Sequence, residues 1–198
     1  GDDLIMLSDD NGLIAVNING VDAGKFQVNG YLRVMLNGGT DSVVASASNL
    51  AFGIQIYGTQ LADSVHIVAS NDAYVLAWMG AGDDLLSSEG NNSAVVVNSP
   101  VGYAPQSFYF PEVGDPSFIL AIGEGGNNSF DLTTSGYALA AAFGGEGDDL
   151  FHLVATDQSA SIGLGGAGSD HFDMSASDAA YVGAYGEDGD DDFTAAGV

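Results

Sequence analysis

The sequence predicts an all-β chain: a parallel β-solenoid of about ten rungs of ~21 residues, with two strands per rung. Three observations lead there. A glycine–aspartate cluster returns at a fixed interval, two alternating apolar runs lie between successive clusters, and the turn joining those runs is restricted to Asn, Asp and Gly.

The cluster is clearest as "GGEGDDLFHL" from Gly144, "GGAGSDHFDM" from Gly165 and "GEDGDDDFTA" from Gly186. With 144–164 as a template and Gly144 as column 1, "GEGGNNSFDLTTSGYALAAAF" from Gly123 aligns without gaps. So do "GTQLADSVHIVASNDAYVLAW" from Gly58 and "MGAGDDLLSSEGNNSAVVVNS" from Met79. Column 8, the first apolar residue after the cluster, then reads Ile5, Phe26, Val43, Val65, Leu86, Phe108, Phe130, Phe151, Phe172 and Phe193. The intervals are 21, 17, 22, 21, 22, 22, 21, 21 and 21 residues, so only the rung around "KFQVNGYLRVML" is short. The period covers residues 1–198 and defines a single repeat domain, with the best clusters within 123–198.

The first strand of each rung alternates, with Phe151 and Leu153 or Phe172 and Met174 on one side. Period two assigns such residues to one face of a sheet, and stacking buries that face. In the second strand the larger apolar residues are assigned inward: Ile54 and Ile56; Leu76 and Trp78; Leu139, Ala141 and Phe143. Between the strands, column 14 reads Asn11, Asn49, Asn71, Asn92, Gly114, Gly136, Asp157 and Asp178, all residue types that tolerate a left-handed backbone.

Composition narrows the function. Of the 198 residues 46% are hydrophobic, which a disordered acidic tail would not be. Only Lys25 and Arg33 oppose 27 carboxylates, giving a net charge of −25. Nucleic acid and anionic membranes are excluded as partners, since both need clustered cations. The excess acid calls for a neutralising cation. There is no cysteine, so neither disulfides nor thiol chemistry enter. No apolar run is long enough for a membrane span. The chain opens at "GDDLIML" with no basic leader, which is read as a signal placed elsewhere or a piece of something longer.

The acid is concentrated in the turns. Column 6 holds Asp3, Asp41, Asp63, Asp84, Asn128, Asp149, Asp170 and Asp191, and column 5 adds Asp2, Asp83, Asp148 and Asp190. Stacked one rung apart, such carboxylates repel unless a cation lies between them. Calcium accepts six to eight hard oxygens, backbone carbonyls included, and glycines let the backbone aim carbonyls into one gap.

"GGEGDDLFH", "GGAGSDHFD" and, more loosely, "GEDGDDDFT" and "MGAGDDLLS" resemble the glycine-rich nonapeptide of RTX-type (hemolysin-type) calcium-binding repeat proteins. The resemblance implies a parallel β-roll with several calcium ions between rungs, in a chain secreted by a one-step route. It implies calcium ligands at Asp149, Asp170 and Asp191. Backbone help would come from Gly144, Glu146, Gly147 and Asp148; from Gly165, Ala167 and Gly168; and from Gly186, Asp188, Gly189 and Asp190. Asn128 takes the corresponding place in its rung, and Asp84 with Gly80 and Gly82 forms a separate candidate. Family rolls carry the nonapeptide at both turns of a coil, whereas here one turn per rung has it.

Other constellations read more plainly. Asp131, His152 and Asp173 form one column on the outer face, a surface ladder of opposite charges rather than a catalytic set, and no enzyme activity is expected. The alternate columns of the second strand (Ala138, Ala140, Ala142; Ser159, Ser161, Gly163; Ala180, Val182, Ala184) are small and uncharged, and are assigned outward as a flat docking face. The expected function is an extracellular, calcium-binding structural protein. It would form or belong to a cell-surface layer, matrix filament or adhesin, with folding and self-association that depend on calcium. Assembly is expected laterally through that face and by end-to-end stacking of the uncapped ends, or by further rungs of a longer chain. The alternative is the calcium-dependent secretion and folding module of a type I-secreted hydrolase or toxin.

Overall fold

The computed structural model describes residues 1–48, 53–70, 74–80, 83–91, 94–97, 107–114 and 118–197. Among them there is no helix. The chain is all-β, and stacked parallel strands form a β-solenoid of about six turns.

It opens with β1 (Leu4–Asp10), β2 (Leu13–Ile18), β3 (Val21–Phe26) and β4 (Tyr31–Met35). It continues through β5 (Ser42–Ser48), β6 (Gly53–Tyr57), β7 (Ser64–Ser70), β8 (Tyr74–Trp78), β9 (Leu85–Asn91), β10 (Ala94–Val97), β11 (Ser107–Gly114) and β12 (Phe118–Ile122). The last part is β13 (Ser129–Thr134), β14 (Leu139–Glu146), β15 (Leu150–Ala155), β16 (Ala160–Ala167), β17 (His171–Ala176), β18 (Tyr181–Asp188) and β19 (Asp192–Gly197). From β4 onward the strands alternate between two sheets. The longer runs β19-β17-β15-β13-β11-β9-β7-β5-β1-β2-β3, the shorter β18-β16-β14-β12-β10-β8-β6-β4.

Column 8 is one continuous stack in the longer sheet: Ile5 pairs with Val43, Val43 with Val65, Val65 with Leu86, and so on through Phe108, Phe130, Phe151, Phe172 and Phe193. Phe26 does not belong to it. β1, β2 and β3 form an antiparallel meander, not two rungs of a ten-rung stack. Its turns sit at Asn11–Gly12 and Asn19–Gly20, all four at positive φ, a two-residue hairpin geometry that Asn-Gly favours strongly. The short interval in the sequence is this hairpin, inserted between β1 and its parallel neighbour β5.

The core lies between the sheets. Phe130, Phe151 and Phe172 are fully buried and, with Phe193, stack at centroid separations of 4.7, 4.5 and 4.9 Å. That ladder leaves little room opposite, so small residues of the shorter sheet point at it: Ala138, Ala140, Ala142, Ser159 and Ser161 are buried, and Gly163 faces Phe151 and Phe172. Where the longer sheet offers only Val43 and Ala45, the shorter one supplies Ile54 and Ile56, both fully buried.

The orientation expected for the shorter sheet is therefore reversed at Leu76 and Trp78 and over 138–184. Leu139 and Phe143 are exposed and Ala141, Leu76 and Trp78 half-buried on the outer face, whereas Ala140 is in the core and Val182 and Ala184 pack on it. Alternation assigns residues to two faces but not the inner one, and complementarity to the phenylalanines decides it. The turn column holds at Asn11, Gly136, Asp157 and Asp178, which all have positive φ, and fails at Gly114, which lies within β11; Asn49, Asn71 and Asn92 are outside the described residues.

A Cβ at Gly163 would lie 3.1 Å from Leu153, Phe151 and Phe172 at once. Gly163→Leu should therefore cost about 1–3 kcal/mol or more by overpacking. Thr133→Lys, on the outer face of the longer sheet, should stay within ~0.5 kcal/mol. Urea unfolding of both variants measures the difference.

Candidate metal centre

The column-6 residues occupy the corner where the chain enters the longer sheet. Asp41, Asp63, Asp84, Asn128, Asp149 and Asp170 are all at most 2% exposed, an unusual burial for so many carboxylates. Hydrogen bonding along the stack explains half of it. Each Oδ1 accepts the backbone N–H of the column-6 residue one rung earlier: Asp41 from Asp3 (2.8 Å), Asp63 from Asp41 (3.0 Å), Asp84 from Asp63 (2.8 Å), Asp149 from Asn128 (2.7 Å), Asp170 from Asp149 (2.8 Å) and Asp191 from Asp170 (3.0 Å).

The second oxygen behaves differently from rung to rung. Asp63 Oδ2 accepts the Thr59 N–H (2.8 Å) and hydroxyl (3.1 Å) and is satisfied. In the Asn128 rung the same place holds an NH2 group, which donates to the carbonyls of Gly126 (3.0 Å) and Gly144 (3.1 Å). Asp84, Asp149 and Asp170 have Oδ2 atoms that are buried with no partner.

Glycine positions locate these orphans. A Cβ on Gly123 would strike the Asn128 amide nitrogen and the Gly144 carbonyl (2.5 Å). On Gly144 it would strike Asp149 Oδ2 and the Gly165 carbonyl (2.6 Å), and on Gly165 it would strike Asp170 Oδ2 and the Gly186 carbonyl (2.9 Å). Asp149 and Asp170 thus set a carboxylate oxygen beside a carbonyl oxygen where Asn128 sets a donor. Two acceptors facing each other in a buried site require a proton or a cation between them. Burial pushes the Asp84 and Asp149 carboxyls up to about 7, and burial raises that of Asp170 too.

The rest of the arc supplies backbone oxygens. Gly147, Gly168 and Gly189 have φ of 126°, 144° and 137°, so each rung's backbone approaches the carbonyl of the previous rung as only glycine can. Glu146, Asp148, Ala167, Asp188 and Asp190 are exposed along the rim, and Asp148 Oδ1 accepts the Ser169 N–H at 2.8 Å. Asn127, absent from the expected set, holds the Asp148 N–H at 3.0 Å. Its polar side chain at column 5 was the available signal. Gly80 has a positive φ of 90°, while Gly82 lies outside the described residues. Among the described residues no three His, Asp or Glu side chains converge on one point. A cation here would be held by one buried carboxylate oxygen together with carbonyls, a donor set of hard oxygens that suits calcium.

Elsewhere, Asp131, His152 and Asp173 do lie in register on the outer face, and His66 Nδ1 meets Ser87 Oγ at 2.9 Å. A groove of about 550 Å³ over the meander is lined by Met6, Val16, Lys25 and Val44 among others. It contains no histidine, and Lys25 is paired with Asp10. Comparison with known proteins gives no match, whether to protein-family models, to curated proteins or to solved structures.

Carboxyls raised above the ordinary value of 3.8 bind protons in the folded state that the unfolded chain has released. Stability of the metal-free chain should therefore fall as pH rises from about 4 to about 7, and stay low above that. Thermal melts in chelator at pH 5 and pH 8 check this, with the higher midpoint expected at pH 5. Asp149→Asn, which copies the Asn128 rung, should stabilise the metal-free form at pH 8 by about 1–2 kcal/mol.

Proposed function

We propose that the chain is a calcium-binding structural module of the RTX type, built on two-strand rungs of ~21 residues, and that it takes no part in catalysis. The observation that carries this reading is the set of buried, unpartnered carboxylate oxygens at Asp84, Asp149 and Asp170, two of them placed against carbonyl oxygens. Calcium would be held between rungs by Asp149, Asp170 and Asp191 with the carbonyls of the glycine arcs, and separately at Asp84. Asp63 and Asn128 complete their hydrogen bonding within the protein and would not need the ion. A site of this low charge density suits the calcium concentrations outside cells, and the proposed setting is a cell-surface layer, filament or adhesin in which copies associate.

Calcium titration by calorimetry, with melting curves in calcium and in chelator, tests the reading. Calcium should raise the melting temperature by the linkage expected of a native-state ligand. Asp170→Ala should abolish most of that rise, whereas Asp173→Ala, on the outer face, should leave it intact. Melting that is unchanged by chelator would sink the proposal.

A further inference from the structure

The two sheets present very different outer faces. The longer one is mixed, with Ser87, Asp131, His152, Asp173 and Thr194 in one column, as a solvated face should be. Over the first five residues of each strand the described outward positions of the shorter sheet include no carboxylate, in a chain with 27 of them; the exposed Glu146, Glu187 and Asp188 lie at the far C-terminal ends of β14 and β18. Phe118, Leu139 and Phe143 are 37–39% exposed and Tyr181 and Tyr185 55–59%, with Leu164 beside them. Among the described residues of that five-residue span the only charge is Arg33, whose Nε donates to Gln55 Oε1 at 3.0 Å. From this we infer that the outer face of the shorter sheet is a homodimer interface, two copies packing sheet to sheet across it.

Shape, area and charge select a second copy as the occupant. Eight strands with five residues each make a plane of roughly 35 by 17 Å, so two copies would bury about 1,200 Å² in total, the lower bound of stable interfaces. A flat, twisted apolar sheet is complemented by another at about 10 Å, as in a β-sandwich. The glycine–aspartate arcs lie along one long edge, beginning in the last residues of β14, β16 and β18 and continuing past them. A two-fold axis parallel to the stack, over the central column of Leu120, Ala141 and Ile162, places each acidic arc above the partner's opposite edge and keeps the arcs apart. Polysaccharide fits less well. Tyr57 and Trp78 stack on each other (4.5 Å, 15°), so their planes face along the sheet and not outward as a sugar platform. An anionic bilayer would repel the flanking acid.

This interface deepens the reading of the chain as a self-associating module, but it does not depend on the metal. The chain in calcium should sediment at twice its 20.1 kDa mass at micromolar concentration. Leu139→Lys combined with Leu164→Lys should give a monomer with unchanged circular dichroism and calcium isotherm. With no native cysteine, Ala141→Cys treated with a short bis-maleimide should yield a cross-linked dimer, and Thr133→Cys on the other face should not. A monomeric wild type, a dimer that survives the double lysine variant, or cross-linking through Thr133→Cys would each overturn the inference. So would a monomer that co-sediments with cellulose or phosphatidylcholine vesicles, which would reassign the face to sugar or lipid. A dimer without calcium binding defeats only the metal reading, and calcium binding without a dimer defeats only this one.

Discussion

The spacing between parallel strands, about 4.8 Å, places every side chain directly over its counterpart from the neighbouring rung. Everything repeated in the sequence is thereby brought into contact with itself. For phenylalanine this is favourable, since Phe130, Phe151 and Phe172 fill the interior as one nearly parallel column that the exposed Phe193 continues. For aspartate the same geometry is hazardous, because carboxylates one rung apart repel in a corner where little water reaches. From Asp41 onward the chain uses one oxygen of each column-6 carboxylate to accept an amide from the rung before, which turns a repulsive stack into a hydrogen-bonded one. The other oxygen is where the rungs diverge.

Much of this was legible from the residues alone. Column 8 repeats with a fixed interval and a fixed character, and the strand register follows it from Ile5 to Phe193 with the single exception of Phe26. That exception had its own local signal. "DNG" and "ING" carry the Asn-Gly pairs of two tight hairpins, and a template of constant period overrode them. The polarity of the shorter sheet was not legible, for a different reason. Both alternating sets are apolar or small, and only the size of what stands opposite decides which set is inside. Gly163 is buried because Phe151 and Phe172 are large, a fact about the facing strands β15 and β17 and not about the pattern within β16 itself.

The corner shows the same division. Glycine and aspartate at a constant spacing identify an oxygen-rich turn, but they do not reveal which oxygens remain unpartnered after folding. That depends on residues outside the motif. Thr59 supplies an N–H and a hydroxyl to Asp63, and a one-atom change of type, amide for carboxylate, lets Asn128 bond two carbonyls. The rungs most like the nonapeptide repeat are those that keep a buried oxygen without a donor, at Asp84, Asp149 and Asp170.

If a cation occupies the corner, as proposed, these differences distribute dependence on it unevenly along the stack. In a solenoid each rung contacts only its neighbours, so stability is close to a sum of local terms and pairwise interfaces. The segment from Asp41 to Asp63 closes its corner with protein groups, and the Asn128 rung does likewise. The segment from Asp149 to Asp191 does not. It contains two of the orphan oxygens and a rim of exposed acid from Glu146 to Asp190. On the proposed reading, loss of a bridging cation would act on the C-terminal rungs and at Asp84, while the meander and the Ile54–Ile56 layer would retain their packing. That same C-terminal part carries Leu139, Phe143, Leu164, Tyr181 and Tyr185 on its outer sheet, so the order of the acidic corner and the flatness of the apolar face rest on the same strands.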